Sequence, residues 1–220
     1  MNKVVVFGVM DFAELAHFYL THDSDYEVVA FTVNEEYLPE DRKFHGLPVV
    51  PFEEVEQLYP PADYLFFAPM SNRRMNSLRE KIYNEAKQKG YQLISYISSK
   101  AIVFPETPIG DNCFILEQNT IQPFTSIGNN VVMWSGNHLG HHSTVMDHVF
   151  FTSQVGVSGH CTIESFCFLG GKAGLLQNVR VAEGTFVAAW AFIDRDTEPW
   201  FLYKGNPARK TRISSRDIDY

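Results

Sequence analysis

The chain has 220 residues, enough for one large domain or two small ones, each with its own core. Hydrophobic residues at 45% and charged residues at 20% exclude extended disorder, and a formal charge of −8 argues against general nucleic-acid binding, which needs a basic surface. No apolar run approaches the ~20 residues of a membrane span, and three Cys do not make a disulfide framework, so a cytoplasmic protein is expected. The start, Met1-Asn2-Lys3-Val4-Val5-Val6-Phe7-Gly8, is too short in its apolar part for a signal peptide and reads as a strand.

Lys3 to Gly8 is a continuous apolar run, as in a strand buried on both faces. Phe12, Leu15, Ala16, Tyr19 and Leu20 then fall at helical spacing, with Asp11 as a candidate N-cap. Tyr26 to Val33 and Tyr64 to Ala68 read as further strands, separated by a solvated charged loop from Glu35 to Lys43. Ser71 or Asn72 is placed to cap a helix whose inner stripe is Met75, Leu78, Ile82 and Ala86, and Tyr91 to Ile97 returns as a strand. Strand and helix in alternation imply an α/β unit, a parallel Rossmann-like sheet, over residues 1–96.

From Ile97 the helical period gives way to a period of six. The series Ile97, Val103, Ile109, Ile115 and onward to Ile193 puts an apolar residue at all seventeen positions. Against a 45% apolar background that run has a chance of about one in a million, so the repeat is real. Four residues after these positions a small side chain recurs from Cys113 to Ala191, including Cys113, Cys161 and Cys167. This is a hexapeptide pattern: a parallel β-helix of about five eighteen-residue coils over residues 97–220, with large residues inside, small ones expected at the corners, and no long insertion. The cysteines then read as buried small side chains rather than metal or redox groups.

These two units in this order resemble the bacterial nucleotide-sugar acyltransferases: the N-acetyltransferases of bacillosamine and perosamine synthesis and the sialic-acid O-acetyltransferases. The resemblance runs from Val4-Val5-Val6-Phe7-Gly8 to the closing Gly205-Asn206-Pro207-Ala208. It implies a left-handed β-helix, a homotrimer, acetyl-CoA as cosubstrate in the groove between neighbouring β-helices, and a nucleotide sugar held by the first domain. It points to N-acetylation of an amino-deoxysugar for surface-polysaccharide synthesis; the alternatives are sugar O-acetylation and a metal-binding, carbonic anhydrase-like hexapeptide protein. Trp134, Phe150 and Phe166 fall at outward or corner positions and are expected to favour burial of a face between copies.

Five of the eight His lie between His138 and His160: His138, His141, His142, His148 and His160. None falls in the inward slot. They read as surface residues, as a metal site like that of the hexapeptide carbonic anhydrases, or as the source of a general base. The resemblance favours His141, two residues after the interior Leu139, as the base, and no resident metal. His142 stands where bacillosamine-type enzymes carry an acidic residue, which leaves Asp147 as a candidate to orient His141. One coil on is Gly159, a candidate oxyanion donor beside the thioester. Gly156 and Gly174, also eighteen apart, would stack as a smooth wall for the pantetheine arm.

The resemblance also places Asn137 and His138 at the substrate and His148 at the cofactor. Lys204, Pro207 and Arg209, with Lys172, Lys210, Arg212 and Arg216, would form a basic rim for the CoA phosphates. In the first domain Gly8 and Asn34 are expected at the nucleotide, although the loop Gly8-Val9-Met10-Asp11-Phe12 lacks further glycines and puts a carboxylate there.

Overall fold

The computed structural model describes residues 2–218. Its first part holds β1 (Asn2–Phe7), α1 (Asp11–His22), β2 (Tyr26–Val33), β3 (Lys43–Phe44), β4 (Leu47–Pro51), α2 (Val55–Leu58), β5 (Leu65–Phe67) and α3 (Ser77–Gln88). The sheet order is β3-β4-β2-β1-β5, parallel except for β3. Val4, Val5 and Val6 of β1 are fully buried, as a central strand demands.

Three expected details change. Asp11 lies inside the first turn of α1, and Met10 takes the N-cap position without a side-chain cap. The long helix begins at Ser77, because Asn72, Arg74, Met75 and Asn76 form a turn in which the last three take positive φ. The strand expected over 91–97 is divided. Leu93 makes one bridge to Phe66, and Tyr96–Ile97 (β6) joins the coils instead.

From β6 the chain winds as a triangular stack, and the eighteen-residue step is visible in the pairing: Val132 with Phe150, His138 with Gly156, Thr144 with Thr162. The three faces are parallel sheets of eight, five and four strands, except that the eight-stranded face ends on Arg209–Ser214, antiparallel to Phe201–Lys204. The large-residue series fills the interior from Ile115 to Ile193, while Ile97, Val103 and Ile109 at the open first coil stay partly exposed.

The small series has a different job from the one expected. Cys113, Val131, Val149, Cys161 and their equivalents also point inward and pack in the same core. The corners belong to the residues immediately before them. Every sixth residue from Asn112 to Trp190 has φ between 53° and 78°. Left-handed backbone costs an ordinary residue free energy, and Asn and His tolerate it better than most. Asn112, Asn130, Asn178, His142, His148 and His160 all stand at such corners.

The outer side of the eight-stranded face is covered by the N-terminal part of the chain. Phe114, Phe150, Phe168 and Phe186 form a line on it, and Phe12, Leu15, Tyr19 and Met75 pack against that line. This corrects the expected role of three aromatics. Phe150 is only 3% exposed, Trp134 sits edge-on to Phe12, and Phe166 lies between His148 and Trp200. Phe150 is covered within the chain, and Trp134 and Phe166 are partly covered there by Phe12, His148 and Trp200.

The two parts are also locked by Arg79, which is fully buried. Its guanidinium donates to the carbonyls of Met70, Ser71, Asn130, His148 and Val149 and to Asn76 Oδ1. Burial pulls its pKa down to about 9, which leaves it charged at neutral pH.

Candidate active site

The corner after Leu139 gathers the reactive groups. Gly140 and Gly159 allow the close approach there. A Cβ on Gly140 would meet the Ser158–Gly159 peptide at 2.6–2.7 Å, and one on Gly159 would lie 2.7 Å from Cε1 and 2.8 Å from Nε2 of His141. The His141 ring therefore lies directly on Gly159, one coil away, as the eighteen-residue spacing implies. The backbone is pinned on both sides: the His141 N–H donates to Gln122 Oε1 (2.9 Å) and the His160 N–H to the His141 carbonyl (2.9 Å). Among the described residues the Gly159 N–H has no protein acceptor.

The partner of His141 is its neighbour. The two Nδ1 atoms of His141 and His142 are 3.0 Å apart, a single hydrogen bond when one ring donates. Asp147, the carboxylate expected in that role, instead accepts from the backbone and side chain of Asn129. His142 is held by stacking between Phe124 and His160, each 4.7 Å away. Gln122 and this stack were missed in the sequence, although stepping eighteen residues from His142 reaches both Phe124 and His160.

On the adjoining face, His138 is exposed and pairs in register with Gly156, which pairs with Gly174, which pairs with Phe192. At Gly156 nothing stands within 4 Å of the point a Cβ would occupy, so the wall is open there. At Gly174 it is not, because the Phe192 ring would lie 2.9 Å from a Cβ. Above Phe192 comes the turn Gly205-Asn206-Pro207-Ala208: the Phe192 N–H donates to the Gly205 carbonyl and the Ala208 N–H to the Phe192 carbonyl. The face thus runs from His138 to the C-terminal turn in rungs of about 4.8 Å.

The rim at that end is of mixed charge rather than basic. Arg209 pairs with Asp194 and Lys210 with Glu198, while Arg216 lies 4.0 Å over the Trp200 ring and Lys172 4.5 Å over Trp190. Lys204, Pro207 and Arg212 remain exposed.

Four expected contacts become structural. Asn137 is 2% exposed, and its amide links Asn119 Oδ1, the Trp134 carbonyl and the Val155 N–H inside the coil. Asn34 donates to Glu53 (3.0 Å), whose other oxygen takes the Glu35 N–H. Gly8 gives its N–H to the Thr32 carbonyl and needs no side chain because its φ is 115°.

The fourth, His148, faces α3, away from the His141 corner. Its Nδ1 accepts from the Asn130 side-chain amide (2.9 Å), whose oxygen accepts from Asn112, and the ring contacts Tyr83 and Phe166. Burial, then the Arg79 guanidinium, hold its pKa down to about 4 from 6.5, against an opposing pull from Asp147. The unfolded chain therefore binds a proton that the folded one refuses as pH falls from 6.5 towards 4, and stability drops across that window. Urea midpoints measured between pH 7 and pH 4.5 are expected to fall less for His148→Gln than for the parent; parallel profiles would contradict this.

No protein-family model matches the chain, and no curated protein matches it in sequence. Solved structures do match in shape. A variant of perosamine N-acetyltransferase from Caulobacter crescentus, in complex with CoA and GDP-perosamine, superposes with a TM-score of 0.83 at 21% identity, over 96% of this chain and 97% of that one. The acetyltransferase domain of PglB from Neisseria gonorrhoeae, in complex with acetyl coenzyme A, gives 0.84 at 19% identity over 96% and 99%. WeeI from Acinetobacter baumannii gives 0.79 at 18% identity over 96% and 100%. Over nearly its whole length, then, the chain has the fold of the hexapeptide-repeat nucleotide-sugar acetyltransferases, with their left-handed parallel β-helix.

Proposed function

We propose that this chain transfers the acetyl group of acetyl-CoA to the amino group of a nucleotide-linked amino-deoxysugar, in the cytoplasm and as a homotrimer. The observation that carries the reading is the His141 ring lying on Gly159, whose N–H has no acceptor among the described residues, at the end of a face left open at Gly156. With His141 donating from Nδ1 to His142, its Nε2 is bare and able to take the proton of an attacking amine. The Gly159 N–H is then the donor for the oxyanion. A thioester is already activated, so no covalent enzyme intermediate is required. Gly156 and His138 line the approach, and Lys204 and Pro207 at the C-terminal turn receive the far end of the cosubstrate.

His142 is a weaker partner than a carboxylate, which favours an amine over a hydroxyl, because an alkoxide is harder to generate. In the first domain, residues 1–96, we assign the Rossmann-like sheet to the nucleotide. The uncapped N-terminus of α1 beyond Gly8 supplies the anion-binding N–H groups, in place of Gly8 and Asn34 themselves. Exposed Phe124 and Trp190 give the trimer its apolar contacts. Three free, buried thiols suit a reducing compartment.

The deciding experiment is a panel of nucleotide aminosugars, GDP-perosamine among them, incubated with acetyl-CoA while thiol release is followed. Failure of every sugar to raise release above the hydrolysis rate would overturn the reading. Gly159→Ala is expected to lower the transfer rate about a hundredfold with the melting temperature nearly unchanged, since the new methyl displaces the His141 ring by contact alone. Normal turnover in that variant would remove His141 from the mechanism.

A further inference from the structure

His141, His142 and His160 are all exposed, and one ring nitrogen from each lies within 4.8 Å of the other two. His142 and His160 occupy equivalent corners of successive coils, at φ 59° and 60°, so their rings stack 4.7 Å apart at 15°. His141 stands edge-on to both, with centroids 5.2 and 5.1 Å away. A tetrahedral zinc ion with bonds of about 2.0–2.1 Å needs its nitrogens about 3.3 Å apart. The His141–His142 pair already stands at 3.0 Å, so ring rotations suffice to bring the third nitrogen in.

The backbone holds all three ligands in place. His160 N–H is bonded to the His141 carbonyl, His141 N–H to Gln122 and His142 N–H to the Pro123 carbonyl. Little backbone ordering is left for a metal to impose. Imidazole is a good ligand for zinc, copper and nickel, whereas calcium and magnesium prefer oxygen. Stacked His142 and His160 also share no hydrogen bond with each other, so a metal bridging them displaces none between those two rings.

We propose that His141, His142 and His160 form a capture site for a zinc-class transition-metal ion, and that its occupancy halts acyl transfer. The binding half stands on the geometry alone. The second half rests on the function proposed above: an imidazole whose lone pair is on a metal cannot take a proton from an amine. The site therefore acts as a reversible brake, released when the metal is withdrawn.

The test uses protein without a polyhistidine tag, dialysed to equilibrium against zinc chloride at neutral pH and analysed for bound metal. The parent is expected to hold one zinc per chain at micromolar free metal. His160→Gln is expected to weaken binding by more than the ten- to hundredfold typical of losing a mere outer-shell partner. Gln is already accommodated at the equivalent corners Gln118 and Gln154, so the variant keeps the coil geometry. In the thiol-release assay, zinc should suppress the parent and a chelator restore it, while the variant, each rate taken relative to its own metal-free rate, tolerates correspondingly more zinc. Substoichiometric zinc in the parent, or equal affinity in the variant, overturns the site. Stoichiometric zinc with unimpaired transfer overturns the brake. Stoichiometric zinc in a protein that acetylates no aminosugar supports the site and rejects the function on which the brake depends.

Discussion

His141→Asn is expected to lose acetyl transfer by about 100- to 10,000-fold in kcat, the range a positioned general base contributes. The KM for acetyl-CoA should change little, because in the proposed reaction the ring acts on the proton of the incoming amine rather than on the bound cosubstrate. Stability should hardly move. His141 is exposed, and what fixes the loop is backbone: its own N–H to Gln122 and its carbonyl from His160. Asparagine keeps both. Steady-state thiol release and a thermal melt on the same preparation give the two numbers. Near-normal turnover at neutral pH would shift the base to His138, the other exposed histidine of this cluster that is not a coil corner.

Arg79→Met carries the largest expected loss of stability, about 3 kcal/mol or more, read as a fall in the urea midpoint. Among the described residues no carboxylate is bonded to Arg79; its donors go to five carbonyls and one amide oxygen. Three of those carbonyls, from Asn130, His148 and Val149, belong to the corner that faces α3. Methionine fills part of the volume but strands these acceptors away from water. Arg79→Lys should recover little, since one ammonium cannot reach the same spread of oxygens as a planar fork. A midpoint shift equivalent to less than about 1 kcal/mol would show that water or a rearranged turn satisfies the carbonyls.

The same residue shows where sequence reading stops. Met75, Ile82 and Ala86 on and just before α3 are apolar at helical spacing and are buried as that spacing requires. Arg79 lies on the same stripe, while Leu78, the apolar residue that the spacing assigns to it, is only half-buried. A charge on a buried stripe makes sense only once the corner carbonyls it meets are known, and those lie 51 to 70 residues away in the chain. Asp147 and His142 reversed roles for a similar reason: Asn129 takes up the carboxylate across a coil.

The sequence by itself determined the coil. A period of six with an apolar residue at each step forces three faces and an eighteen-residue stack, and from that follow His141 over Gly159 and Gly156 over Gly174. Burial is periodic, so a repeat writes it into the chain. Only the tertiary structure decided which outer face is covered, because Phe114, Phe150, Phe168 and Phe186 look as exposed in the repeat as any outward residue until the N-terminal helices pack onto them. It also decided which polar groups are free for chemistry. Asn137, Asn34 and Gly8 carry the right atoms, but hydrogen bonds to distant neighbours have already taken them. Pairing of that kind depends on positions in space, and no spacing along the chain encodes it.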